Sequence, residues 1–331
     1  MIKDIADILQ WTDAGLYCAA ADCHIDPHRP VRRAVITHAH SDHARPGHEQ
    51  VLASAEGWKL FQHRLGDIRG EPVEYGQSLR VGEATITLYP AGHIRGSAQV
   101  LLTVSGRRVL ITGDFKREAD ATCSAFEPVQ ADILISECTF GLPVYRWPSF
   151  DQTVQALRQW WRQCRESGET AVLCCYALGK AQRLLHALRD SEEPVLLHGA
   201  LTPLTDIYRE AGVAMANVEP ATAVKRGEAG GRLVLCPPSA VRTPWMKRFP
   251  RAQVAFASGW MLLRGHRRRR GVDRGFVVSD HADWPALLQT VADVNPEHAL
   301  FMHGDSTPIV RYLREQGRAA DSLRAALGDS A

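Results

Sequence analysis

The run Thr37-His38-Ala39-His40-Ser41-Asp42-His43 places four ligand-capable side chains, His38, His40, Asp42 and His43, within six positions. Neutral imidazole and carboxylate are ligands of Zn²⁺ and its neighbours, and a loop can fold such groups back onto one point. Further candidates stand downstream beside glycines: His93 in Pro-Ala-Gly-His, Asp114 in Ile-Thr-Gly-Asp-Phe and His303 in Phe-Met-His-Gly-Asp. Taken singly, each reads as a turn or capping residue. Together, at successive strand ends, they read as ligands. A two-metal centre needs roughly seven or eight protein ligands, including a carboxylate shared between the ions. Asp26 reads as a carboxylate that orients the loop from behind. A solvated polar loop of satisfied histidines is the competing reading, and the density of ligand types in His-x-His-x-Asp-His speaks against it.

The elements that must position these residues change character along the chain. Short strands are expected at Leu16–Cys18, Cys23–Asp26, Arg33–Thr37, Glu49–Ala53, Thr85–Tyr89, Ala98–Val104, Arg108–Thr112 and Ile133–Ser136. Ser105-Gly106-Arg107 is a hairpin signal between two of them. From about Pro148 helices and strands alternate. Phe150–Ser167, Lys180–Arg189 and Pro203–Ala211 read as helices, and Thr170–Tyr176, Val195–His198 and Arg232–Cys236 as strands. The ending repeats the alternation: strand Phe276–Ser279, helix Pro285–Val294, strand His298–Met302 and helix Thr307–Glu315. Such alternation indicates a parallel α/β unit, so the expected class is α/β, with a β-rich first part.

Composition narrows the classes. The chain has 331 residues, 45% hydrophobic and 23% charged, enough apolar material for a buried core. With 39 basic and 37 acidic side chains the net charge is +2, so no global basic field marks a nucleic-acid partner. The exception is local: Arg267, Arg268, Arg269 and Arg270 form a run that reads as a solvated surface or a track for a polyanion. No stretch has the ~18 apolar residues needed to span a bilayer. Eight cysteines without a Cys-x-x-Cys pair read as reduced thiols, and the expected location is the cytoplasm.

The order Asp26, HAHSDH, His93 and Asp114 resembles the metallo-β-lactamase fold. Ser136-Glu137-Cys138-Thr139-Phe140-Gly141 resembles the acidic motif before the cap of the β-CASP nucleases. Ser279-Asp280-His281-Ala282-Asp283 resembles their post-cap histidine motif, and Met302-His303-Gly304 their last one. GDFKREAD, CTFGLPVYRWP and SDHADW are similar to the bacterial ligase-associated DNA exonucleases, a group of DNA-repair enzymes. The resemblance implies an αββα sandwich with an inserted α/β cap. The sandwich would occupy 1–145 and 267–331, and the cap 146–266.

It also implies roles. One ion would sit among His38, His40, His93 and Asp114, and a second among Asp42, His43, His303 and the shared Asp114. Zn²⁺ is the expected metal, with Mn²⁺ as the alternative. Asp42, Glu137 and His281 would be catalytic: hydroxide activated by two metals attacks a phosphodiester, and His281 paired with Glu137 protonates the leaving oxygen. Lys180, which opens a cap helix after Gly179, is a candidate for a terminal phosphate pocket. Arg117 and Arg146 are candidate phosphate contacts, with surface ion pairing as the competing reading. Trp147, Trp260 and Trp284 are candidates for base stacking or for ordinary packing. The implied activity is a 5′-to-3′ DNA exonuclease acting on single strands or DNA ends, with a DNA ligase and a helicase as associates. His303 is a type found in RNA-processing members, so an RNA-processing nuclease is the alternative. A non-catalytic nucleic-acid-binding subunit is a third reading, of a different class.

Overall fold

Residues 5–328 are described by the computed structural model. The chain divides into two units, 1–146 with 281–331, and 147–280.

The first unit opens with β1 (Leu9–Thr12), β2 (Gly15–Cys18), β3 (Cys23–Ile25), β4 (Arg33–Val35), β5 (Gln50–Ser54), helix α1 (Trp58–Leu65) and β6 (Gly70–Val73). These six strands form one sheet in sequential order, and β3 to β6 run parallel. Next come β7 (Ser78–Val81), β8 (Ala84–Pro90), β9 (Ala98–Val104), β10 (Arg107–Ile111) and β11 (Ile133–Glu137). Ser105 and Gly106 join β9 to β10 with φ of 48° and 84°, the left-handed pair that a two-residue hairpin loop needs.

The second unit follows with α2 (Phe150–Glu166), β12 (Thr170–Cys174), α3 (Lys180–Ala187), β13 (Val195–Leu197), α4 (Thr202–Glu210), β14 (Val218–Pro220), β15 (Leu233–Cys236), β16 (Ala252–Ala257), α5 (Arg264–Arg270) and β17 (Arg274–Phe276). The chain then returns to the first unit through α6 (Trp284–Val294), β18 (His298–Met302), α7 (Thr307–Glu315), β19 (Ala320–Ser322) and α8 (Leu323–Leu327). β18 inserts beside β11, in the order β19-β18-β11-β10-β9-β8-β7.

Strand alternation explains the layering of the first unit. Val109, Ile111, Ile133 and Ile135 share a core with Leu16, Ile25 and Val35 of the first sheet. Their neighbours Leu110 and Leu134 point the other way, onto Leu287, Val291 and Val294 of α6 and Ile309 and Leu313 of α7. Trp284 is 4% exposed and belongs to this second core, so packing rather than base stacking accounts for it.

The six strands of the second unit are all parallel, in the order β14-β13-β15-β12-β16-β17. Both faces of its central strands are covered, which is why they read as unbroken apolar runs. Leu157, Trp160 and Trp161 of α2 and Leu184 and Leu185 of α3 cover one face. Phe249, just after one short 3₁₀ segment, and Met261, within another, cover the other. This unit ends at Asp280, beyond the expected 266, because β17 pairs with β16 and keeps the chain in the sheet. The expected strand Phe276–Ser279 is shifted accordingly: pairing ends at Phe276.

All eight cysteines are free thiols, and seven are buried; only Cys123 is half-buried. Burial pushes Cys23 and Cys138 up to about 12, the latter helped by the charge of Glu137. At pH 8 such a thiol is ionised in about one molecule in 10⁴. The native protein should therefore take up one equivalent of maleimide quickly, at Cys123, and eight in denaturant. Rapid uptake of three or more under native conditions would contradict the packing.

Candidate metal centre and acid–base pair

Strand direction delivers the chemistry-bearing residues to one edge. β10, β11 and β18 run parallel, and β8 shares their direction through the intervening antiparallel β9. His93 follows β8, Asp114 follows β10, Glu137 ends β11 and His303 follows β18, so all four leave the sheet at its C-terminal edge. The histidine loop leaves β4 of the facing sheet. Gly113, with φ of +55°, makes the turn before Asp114; a Cβ there would lie 2.8 Å from Thr37 Cβ.

His38, His40, His93 and Asp114 converge, with one ligand atom from each within 4.8 Å of the others. His40 Nδ1 lies 3.0 Å from His38 Nε2 and 3.1 Å from His93 Nε2. A ring nitrogen offers one hydrogen or one in-plane lone pair, so it cannot satisfy both neighbours in line. A cation shared by the three rings resolves this, and the donor set fits a divalent metal. Asp114 Oδ2 is the hub, at 3.5 Å from His38 Nε2, 3.4 Å from His43 Nε2 and 3.8 Å from His93 Nε2.

The electrostatics of His38 and Asp114 agree with ligand chemistry, whereas those of His43 favour its protonated ring, whose proton a metal would have to displace. Burial, with His43 beside it, holds His38 well below the ordinary imidazole range, so its ring is neutral, the ligating form. Burial alone would lower His43, but the carboxylates of Asp26 and Asp114 hold it well above that range. For Asp114 burial works upward, yet His281 and His43 keep the carboxyl well below the carboxylate range. His303 adopts φ of +56°, uncommon for a residue with a Cβ, and its ring centre lies 5.5 Å from that of His43.

Asp26 acts from behind the loop, as its position suggests. Its Oδ2 accepts from His43 Nδ1 at 2.7 Å and from Thr37 Oγ1 at 2.6 Å, while Oδ1 accepts from Thr37 N–H at 2.8 Å. The remaining His43 nitrogen is thereby aimed at Asp114. Replacing Asp26 by alanine should weaken metal affinity about 10- to 100-fold, read by chelator competition. Unchanged affinity would remove it from that role.

A second cluster joins the first through Asp114, since one ligand atom from each of Asp114, Glu137 and His281 falls within 4.8 Å. Glu137 is 1% exposed and faces His281 Nδ1 at 2.9 Å; the His281 ring is 19% exposed. An acceptor-only carboxylate fixes the hydrogen on Nδ1 and leaves Nε2 for chemistry.

Other expected residues stand apart. The turn at 40–44 points Asp42 outward: its side chain is 75% exposed, with Oδ2 4.0 Å from His43 Nε2. Lys180 is buried rather than open to a phosphate, paired with Asp280 at 2.8 Å, because a buried ammonium needs a counter-charge. Arg117 is engaged with Asp293 at 2.6 Å and Thr290 at 3.2 Å, and its guanidinium lies over Phe126. Arg146, Arg268 and Arg269 are exposed; the side chains of Arg267 and Arg270 lie outside the described set. The Arg run is helical, as α5.

Sequence reading missed the residues that hold the ligands. Thr37 is one. Ser97 is another: its Oγ accepts from the backbone N–H of His93 and of Ile94. Glu56 accepts from Arg95, Gly96 N–H and Ser124 N–H. Their signal is weak, since single Ser, Thr and Glu residues in loops are common.

No family model matches the chain. It is similar to a protein of Opitutus terrae named a probable DNA ligase, 35% identical over 309 residues, covering 92% of this chain and 30% of that protein. A ribonuclease of Thermus thermophilus is 28% identical over 219 residues, covering 57% of this chain and 48% of that one. The cleavage and polyadenylation specificity factor subunit 3 of Dictyostelium discoideum is 32% identical over 117 residues, covering 35% and 15% respectively. The chain thus spans less than half the length of each of these relatives. A solved structure from Enterococcus faecalis, of a protein of unknown function, shares the fold, with a TM-score of 0.57 at 12% identity over 83% of this chain and 76% of that one. A mixed α/β fold of several sheets, a His/Asp cluster able to hold a metal and relatives named as nucleic-acid enzymes are together consistent with the metallo-β-lactamase and β-CASP resemblance.

Proposed function

We propose that the chain is a metal-dependent phosphodiesterase of the β-CASP type that degrades nucleic acid from its ends, with the unit 147–280 as the cap. The observation that carries this is the position of Asp114, shared between a histidine cluster suited to a metal and the Glu137–His281 pair. His38, His40, His93 and Asp114 would hold one divalent ion. Asp42, His43 and His303, with Asp114, would hold a second, Zn²⁺ or Mn²⁺. Such ions supply an acidified water and neutralise charge on the phosphate. The chain's own residues do the rest. Asp26 fixes the tautomer of His43, Asp114 aligns three imidazoles, and Glu137 holds the His281 ring so that Nε2 delivers a proton to the departing oxygen.

DNA is the proposed substrate, degraded 5′ to 3′, in repair or end processing. The relative named a probable DNA ligase supports DNA as the substrate, because its similarity spans nearly the whole chain, while the 5′-to-3′ direction rests on the sequence resemblance. That relative also supports a functional link to a ligase. The RNA reading is favoured by His303 and by the relative named a ribonuclease. Single-stranded DNA labelled at either end, beside a matched RNA, separates them. Prompt release of the 5′ label as a mononucleotide from DNA alone supports the first reading, and preferential RNA cleavage the second.

Arg268 and Arg269, exposed on α5, with Arg267 and Arg270, are the proposed phosphate track of the second unit, and the exposed Arg146 is a separate candidate phosphate contact on the first. Each phosphate neutralised on a single strand contributes about 0.7 to the log–log salt slope. Replacing Arg267 to Arg270 by alanine should flatten that slope by about 1 to 3 in DNA-binding titrations. An unchanged slope would remove these residues from the track. None of the described helices is long and apolar enough to cross a membrane.

A further inference from the structure

The Glu137 carboxylate is held at both oxygens, and the two holds come from different places. Oε1 accepts from the backbone N–H of Phe115 at 2.8 Å, the residue directly after Asp114. Oε2 accepts from the hydroxyl of Thr139 at 2.5 Å. His281 Nδ1 lies 2.9 Å from Oε1 and 2.9 Å from Oε2, equidistant from the two oxygens. That symmetry depends on the plane of the carboxylate. The terminal torsion of glutamate is broad and weakly restrained, so a group held at one oxygen swings about it. A second donor on the other oxygen fixes the plane.

Thr139 is itself fixed. Cys138 N–H donates to Met302 O at 2.9 Å, and Gly141 N–H donates to Cys138 O at 2.9 Å. Gly304, with φ of +143°, passes so close that a Cβ there would meet Cys138 O at 2.4 Å and Thr139 Cα at 3.2 Å. Phe140, next in the chain, is buried, with its ring centre 5.9 Å from that of His281. The hydroxyl therefore projects from a clamped backbone, braced by the segment that carries His303.

We infer that Thr139 is a positioning residue, whose hydroxyl sets the plane of the Glu137 carboxylate and through it the orientation of the His281 ring. This rests on the nuclease reading for its effect on turnover, not for its effect on the ring. Thr139→Val keeps the shape and removes the donor, whereas Thr139→Ser keeps the donor and removes the methyl. Misplacing a proton donor by a fraction of an ångström lowers the chemical step while binding is kept. Thr139→Val should lower kcat about 10- to 100-fold, with KM within about twofold and bound metal unchanged; Thr139→Ser should stay within about threefold of the parent.

A second readout does not need activity. The ring ¹⁵N signals of His281, assigned by their loss in His281→Ala and recorded where the ring is neutral, should show a single form with hydrogen on Nδ1. Thr139→Val should show a mixture, and Thr139→Ser the parent pattern. The proposal is overturned if Thr139→Val keeps the parent ring spectrum, or if Thr139→Ser is as impaired as the valine variant, which would assign the role to the methyl. If His281→Ala itself keeps full turnover, the proton-donor assignment fails, and the ring spectrum still decides the role of Thr139.

Discussion

Asp114→Ala should lower kcat/KM for nucleic-acid cleavage by about three orders of magnitude and reduce bound metal, in a chain that keeps its circular dichroism. That loss corresponds to about 4 kcal/mol of transition-state stabilisation. The size follows from geometry. Oδ2 of this one carboxylate stands within 3.8 Å of nitrogens on His38, His43 and His93, and the group also closes the cluster with Glu137 and His281. No other described carboxylate sits among these rings; Asp26 approaches His43 from the far side and Asp42 is exposed. The alanine variant would leave buried imidazoles without the anion that gathers them. Retention of activity within tenfold would mean that the convergence at Asp114 is structural.

His281→Ala should behave differently. Turnover should fall about 10²- to 10⁴-fold, the range for losing a positioned proton donor, with metal content and KM near those of the parent. The ring has Nδ1 on Glu137, which leaves Nε2 as the nitrogen that would deliver the proton. A donor to the leaving group acts in the transition state, so kcat and kcat/KM fall together. Loss of bound metal in this variant would instead make His281 a ligand. Glu137→Gln should lower turnover less, because it changes the acceptor while leaving the imidazole present.

The two variants probe the part of the site that was legible in the residues. His38, His40, His93 and Asp114 are recognisable because four such ligand-capable residues after strand ends are rare by chance, and strand direction then brings them to one edge. The strands Ala98–Val104 and His298–Met302 and the helix Thr307–Glu315 have the expected bounds, since their apolar spacing and capping signals are strong. Asp42 is a candidate ligand through its place in the histidine motif and through the resemblance, neither of which gives side-chain direction. The backbone bonds from His43 and Ala44 to His40 leave it 75% exposed, with Oδ2 4.0 Å from His43 Nε2. Lys180 is a candidate for a phosphate pocket, and Arg117 for either a phosphate contact or an ion pair, because their partners Asp280 and Asp293, 100 and 176 residues away, cannot be seen in local sequence. The small helix α1 and the short strands β6, β14 and β19 escaped notice because three to eight residues carry little periodicity. Thr37, Ser97 and Thr139 act through one or two local hydrogen bonds each, which residue type and spacing do not reveal.

The most direct measurement is a metal titration of purified protein, counted by elemental analysis, with phosphodiester turnover followed on the same samples. Turnover should appear as Zn²⁺ or Mn²⁺ fills up to two sites per chain, vanish on chelation and return on reloading, and be lost with the metal in Asp114→Ala. Full turnover in thoroughly metal-stripped protein, or tight metal binding that survives removal of Asp114 with activity intact, would contradict the metal-dependent reading.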